Sequence, residues 1–146
     1  MTKQAKQKAL SLLNFMDRTE SGLRQKLKEK SFCEEAIDEA IDYVKSFGYI
    51  NDVGYAERYI LNKRGNKSKK EIQVVLEQKG VSREDIETAM ANCYDSEDEI
   101  FAIQALCKKK NFVIEEATKT QQMKMYQYLL RKGFRGSDIC KVLKVE

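Results

Sequence analysis

Arg64, Lys67, Lys69 and Lys70 set four fixed cations within a seven-residue stretch, the densest basic cluster of the chain. Cations spaced in this way pair with phosphates or with an acidic protein surface. Little else in the sequence offers chemistry. None of the 146 residues is histidine, which removes Ser–His and Cys–His pairs and any base whose ordinary pKa lies near neutrality. Cys33, Cys93, Cys107 and Cys140 are separated by 60, 14 and 33 residues and form no C-x-x-C. That spacing argues against zinc or redox work, and reduced thiols, most of them acting as small apolar residues, are expected. Gly65-Asn66-Lys67-Ser68-Lys69-Lys70 lacks the second glycine of a phosphate loop and follows no hydrophobic strand. The carboxylates show no D-x-D or E-x-x-H pattern. The chain is expected to be no enzyme, with no cofactor and no metal.

An internal repeat positions these cations. Leu23 to Ile41, Ile72 to Met90 and Met125 to Leu143 align without a gap, at offsets of 49 and 53 residues. Their apolar columns are Leu23/Ile72/Met125, Leu27/Leu76/Leu129, Phe32/Val81/Phe134, Ile37/Ile86/Ile139 and Ile41/Met90/Leu143. Lys30/Lys79/Lys132 and Ser31/Gly80/Gly133 complete the match. Apolar pairs four apart fall on one helical face. Lys followed by Gly is a helix stop, because glycine takes the left-handed conformation and lysine suits the negative helix end. Ser31 in that place costs ~1 kcal/mol if it keeps the same dihedrals.

A further helix precedes each pair, marked by Ala9/Leu13, Ala56/Ile60 and Ala102/Leu106. Ser68-x-x-Glu71 and Ser96-x-x-Glu99 read as capping boxes. The expected fold is all-α: three tandem three-helix repeats, 1–48, 49–94 and 95–146, forming an elongated, curved body. The third copy carries about a dozen extra residues from Asn111 to Gln122, as a loop or as a helix extension. Apolar residues make up 42% of the chain, enough for folded cores. The longest apolar run, Ile100 to Ile103, is four residues, too short for a membrane span. No signal-peptide pattern follows Met1, so a cytoplasmic protein is expected.

Lys and Arg number 27 against 23 Asp and Glu, and their distribution says more than the difference. Basic residues gather from Arg18 to Lys30, from Arg58 to Gly80 and from Lys119 to Arg135. Glu34, Glu35, Asp38, Glu39 and Asp42 make the helix after the first turn acidic. One reading is a solvated face with helix-end electrostatics. The other is a basic strip facing phosphates or an acidic protein. A helix-turn-helix DNA reader is disfavoured, because its second helix would carry those five carboxylates into the groove. Tyr49, Tyr55, Tyr59, Tyr126 and Tyr128 interleave with the cations and could stack on unpaired bases. Tyr55 and Tyr59 continue the Ala56/Ile60 stripe and are expected in the core.

The stretch Gly48-Tyr49-Ile50-Asn51-Asp52-Val53-Gly54-Tyr55-Ala56-Glu57-Arg58-Tyr59 resembles the bacterial RecX regulatory proteins. So do Ile72-x-x-x-Leu76-x-x-Lys79-Gly80-Val81, Leu129-Leu130-Arg131-Lys132-Gly133-Phe134, and Arg18 with Leu23-Arg24-Gln25-Lys26-Leu27. Gly22 and Ser68 depart from the common pattern, which has Glu and Gly there. The resemblance covers nearly the whole chain and implies tandem three-helix repeats. It also implies a non-catalytic regulator that binds the RecA recombinase and its filament on single-stranded DNA, lowering ATP hydrolysis and strand exchange. DNA would be met directly or through the filament, by a monomer. The alternative is a general single-stranded nucleic-acid binder without a recombinase partner. The residues expected to make the contact are Arg18, Arg24, Arg58, Lys63, Arg64, Lys67, Lys69, Lys70, Arg131 and Lys132.

Overall fold

A computed structural model describes residues 2–145. Among them are nine α-helices, one 3-10 turn and no strand. The helices are α1 (Thr2–Phe15), α2 (Glu20–Glu29), α3 (Glu34–Ser46), α4 (Asp52–Lys63), α5 (Lys69–Gln78), α6 (Arg83–Cys93), α7 (Ser96–Lys109), α8 (Lys119–Arg131) and α9 (Gly136–Leu143). Each repeated apolar column is buried in every copy except at Phe32, which is half-buried.

The second helices α2, α5 and α8 end alike. Ser31, Gly80 and Gly133 take φ of 67°, 88° and 97°. The N–H groups of Phe32, Val81 and Phe134 then donate back to the carbonyls of Leu27, Leu76 and Leu129 at 3.3, 3.1 and 3.2 Å. This Schellman closure satisfies carbonyls the helix would leave orphaned and turns the next apolar residue inward.

The chain divides into two compact units, Met1–Arg58 with Leu76–Ala89, and Tyr59–Val75 with Met90–Glu146. The three helices of the middle copy therefore contribute residues to both. In the first unit α1 packs mainly on α3. Its core is Ala5, Ala9, Leu23, Leu27, Ile37, Ile41 and neighbours. In the second unit α9 lies against α7 and α8, around Ile103, Cys107, Leu129, Phe134 and Ile139.

A joint between successive copies occurs once in each unit. In the first, the buried Thr19 hydroxyl accepts from Gly22 N–H at 3.0 Å and donates to the Lys79 carbonyl at 2.6 Å. The Asp52 carboxylate accepts from Glu20 N–H at 2.9 Å. Burial pushes the Asp52 carboxyl above the usual range, the Glu20 N–H opposing it. In the second unit the buried Ser68 hydroxyl accepts from Glu71 N–H at 3.1 Å and donates to the Lys132 carbonyl at 2.5 Å. Glu99 accepts from Lys69 N–H at 2.7 Å. Each N-cap hydroxyl thus serves its own helix and the helix end of the next copy.

One cap expectation needs correction. The α7 start moves back one residue, because Asp98, not Glu99, reaches the N-cap, accepting from Asp95 N–H at 2.9 Å. Glu99 is committed to Lys69 and to the Tyr94 hydroxyl instead. The cysteines differ in burial. Cys107 is buried, Cys93 and Cys140 are half-buried and Cys33 is exposed as the α3 N-cap. The extra residues of the third copy form a loop with the 3-10 turn Ile114–Glu116, followed by an early start of α8. Thr118 and Gln121 cap that start reciprocally at 3.1 and 2.9 Å.

Candidate protein and nucleic-acid interface

Lys69 and Lys70 are the first two residues of α5, where cations oppose the helix dipole. The second joint holds them there. Ser68 caps the helix beneath them, and Lys69 is fixed through its N–H to the Glu99 carboxylate. A Cβ on Gly133 would lie 2.9 Å from Lys70 Cβ and 3.3 Å from its Cδ, so the aliphatic stem of Lys70 covers that glycine. Both lysines are exposed, and among the described residues no carboxylate lies within ion-pair distance of either.

A groove of about 450 Å³ opens beside them, between α5, the Tyr94–Ser96 junction and Arg135. The Ser68–Lys132 bond sets the start of α5 against the end of α8. Lys69, Lys70 and Arg135 line this groove of the second unit, together with Asp95 and Glu99. Arg135 is not among the residues expected from sequence; its only signal is its place at the end of the Lys119–Arg135 basic stretch. It is exposed and its Nε lies 3.3 Å from the buried Asp138 carboxylate. In sequence Glu99 reads as a cap and Tyr94 as junction. Burial, then the Glu99 hydrogen bond, pushes the Tyr94 hydroxyl far above its ordinary pKa.

The remaining expected residues are placed as follows. Arg64 donates to the Cys93 carbonyl at 3.3 Å, bracing the end of α6. Lys67 lies 3.8 Å from Glu71. The Lys63 ammonium sits 5.9 Å over the Tyr59 ring. Arg131 is exposed, with no carboxylate in ion-pair range among the described residues. The first unit differs. There Arg24 pairs with Asp38 of the acidic α3 at 2.6 Å, and Arg58 pairs with Asp17 at 2.6 Å. Arg18 donates to the Leu12 carbonyl at 3.3 Å. Arg24 and Arg58 are thus locally neutralised, whereas Lys69 and Lys70 keep their full charge. Tyr55 and Tyr59, expected in the core, are half-buried, and Tyr49 is 54% exposed.

Among the described residues no cluster of acids and thiols could hold a metal, and no helix is long and apolar enough to cross a membrane. Nine helices among the described residues, in three copies jointed through N-cap hydroxyls, define a helical-repeat protein that carries exposed cations. Family models described as the first, second and third three-helix domains of RecX match residues 5–43, 51–90 and 97–143. The chain belongs to the RecX family. Regulatory protein RecX of Caldanaerobacter subterraneus subsp. tengcongensis is 35% identical over 144 residues, covering 98% of this chain and 71% of that protein. The Clostridium beijerinckii protein of the same name is 30% identical, covering 95% of this chain and 66% of its own length. The chain spans about two thirds of the length of its clostridial relatives, 66% and 64% for the first two. The crystal structure of RecX from Lactobacillus salivarius matches with a TM-score of 0.80 at 26% identity, over 98% of this chain and 94% of that one.

Proposed function

We propose that this chain binds the RecA recombinase and its filament on single-stranded DNA and restrains ATP hydrolysis and strand exchange, without catalysing a reaction itself. It acts as a cytoplasmic monomer whose repeats divide at 1–48, 49–94 and 95–146. The observation that carries this reading is the exposed, unpaired Lys69–Lys70 pair in a member of a family whose relatives are named regulatory proteins. Cations held against the helix dipole are a poor choice for α5 alone and a good one for an anionic partner. Titration into a DNA-dependent RecA ATPase assay tests it. A dose-dependent fall in hydrolysis is expected, and an unchanged rate at saturating protein would overturn it.

The unpaired cations would also attract any phosphodiester, which favours a second reading as a general single-stranded nucleic-acid binder. Binding to naked single strands and to recombinase-coated strands separates the two. Equal affinity for both, with a steep salt dependence, supports the second reading.

A further inference from the structure

The extra residues of the third copy build something the other copies lack. With the end of α7 and one face of α8 they enclose a pocket of about 460 Å³, within the range of small-ligand sites. Lys110 and Phe112 line one side, Glu116 the loop, and Lys124 and Tyr128 the helix. Asn111, at φ 55°, turns the chain out of α7 at its mouth, and Phe112 N–H closes onto the Cys107 carbonyl at 2.9 Å.

The charges here are held in an unusual way. The Lys110 ammonium sits 4.8 Å from the centre of the Tyr128 ring, and the Lys132 ammonium sits 5.6 Å from it. A ring positions a cation through its quadrupole and carries no net charge, so these lysines are oriented without being neutralised. No ion pair engages Lys110, Lys124 or Lys132 among the described residues. Two cations, Lys110 and Lys124, thus face one carboxylate, Glu116, across a pocket lined by Phe112 and Tyr128.

We infer that this pocket takes one nucleotide unit of a single-stranded nucleic acid, its phosphate between Lys110 and Lys124 and its base against Phe112. Stacking is open only to an unpaired base, and an acidic peptide would leave the aromatic wall unused. The inference goes beyond the function proposed above, in which DNA can be met through the recombinase. A probe without recombinase separates the two, so that either can fail alone.

The test is fluorescence anisotropy of labelled oligo-deoxythymidine at two salt concentrations. Lys110→Ala with Lys124→Ala removes two exposed cations and is expected to weaken binding at least tenfold. The salt slope should fall by about 0.7, for the one single-strand phosphate that is no longer neutralised. Lys3→Ala with Lys8→Ala, on α1, is the control and should change affinity less than twofold. Phe112→Leu should weaken binding with little change of salt slope, as an aromatic wall would. Thymidine monophosphate should compete better than inorganic phosphate. Equal competition would reduce the pocket to an anion site and overturn the nucleotide assignment. A double lysine variant that matches the control, or no binding of the probe by the unaltered protein, would overturn it as well. So would a double lysine variant that fails to bind the filament yet binds the probe normally, which would make the pocket a protein-docking site.

Discussion

Ser68 and Lys132, 64 residues apart in sequence, are joined by a hydroxyl-to-carbonyl hydrogen bond of 2.5 Å. The same hydroxyl caps α5, so one buried oxygen starts one helix and closes another. Thr19 and Lys79 repeat the relationship at 2.6 Å. Ser68→Ala should cost about 2–4 kcal/mol, combining a lost cap with a carbonyl left without its donor. Ser68→Thr, which copies Thr19, should cost less than about 1 kcal/mol. Urea unfolding of the two variants checks this, and equal destabilisation would show that the hydroxyl is not the source.

The two joints set the demands on two of the three turn residues. Gly80 packs against Ser21 and Gly133 against Lys70, so closely that a Cβ would collide with each neighbour's side chain. Gly80→Ala and Gly133→Ala should therefore cost about 2–3 kcal/mol, the left-handed penalty of ~1 kcal/mol plus the displacement of the neighbour. Ser31 holds the same conformation at φ 67°. Ser31→Gly should gain roughly 0.5 kcal/mol, part of the strain relief being offset by the freer unfolded chain. Thermal unfolding would expose an error if all three changes shifted the midpoint in one direction.

Cys33 occupies the α3 N-cap and makes no capping bond there. Its counterpart Ser82 accepts from Asp85 N–H at 3.2 Å. Cys33→Ser should therefore stabilise the protein by about 0.5–1 kcal/mol. Cys107→Ser puts a hydroxyl into a buried site and should cost roughly 1–3 kcal/mol. In thiol titration Cys33 should react first and Cys107 last, since burial also raises the Cys107 pKa.

Tyr94 donates to Glu99, and its pKa is raised by burial first and by that bond second. The unfolded chain loses the phenolic proton near the ordinary value of about 10, while the folded protein keeps it. The stabilisation is therefore complete below about pH 10 and falls as pH rises above it. Tyr94→Phe should be less stable at neutral pH by about 1–3 kcal/mol and fall less on going above about pH 10. Tyr55, also raised by burial, adds a smaller alkaline loss of the same sign. Unfolding midpoints from neutral to alkaline pH would refute this if the variant and the parent fell in parallel.

Charge reversal at Arg64, Lys69 and Lys70 should leave the helices intact and weaken filament binding at least tenfold, about 1.4 kcal/mol. Arg64 also braces the Cys93 carbonyl, so Lys69→Glu with Lys70→Glu alone is the cleaner form. Carboxylates in the first turn of α5 also suit the helix dipole. Circular dichroism and binding at two salt concentrations are the measurements. Undiminished binding by a folded double variant would remove this surface as the interface.

The helices are legible in the sequence because each repeated column serves one helical face, and Lys79-Gly80 and Lys132-Gly133 carry their stop signals locally. The joints are not. Nothing in the repeat pattern marks Thr19 or Asp52, and their distant partners, Lys79 and Glu20, are set by packing between copies. Glu99 misleads for a related reason, since Ser96-x-x-Glu99 fits a cap while the backbone it serves is that of Lys69. Arg24 looks like Lys69 in sequence, yet the acidic α3 neutralises one and no helix neutralises the other. The loop of the third copy has no periodicity to read, and its pocket depends on a turn at Asn111 that a non-glycine residue does not announce.

The joints also make the copies unequal. The first offers a hydroxyl but has Ser31, not glycine, at its turn. In the third, the position equivalent to Ser68 is Gln121, inside the lengthened α8, so it offers a turn but no hydroxyl. Only the middle copy has both. Exchanging any two copies would leave a side chain in the way at Ser31 or a carbonyl without its donor. The order of the modules is thus written into the backbone chemistry of their seams, and gene duplication or shuffling within this chain is directional.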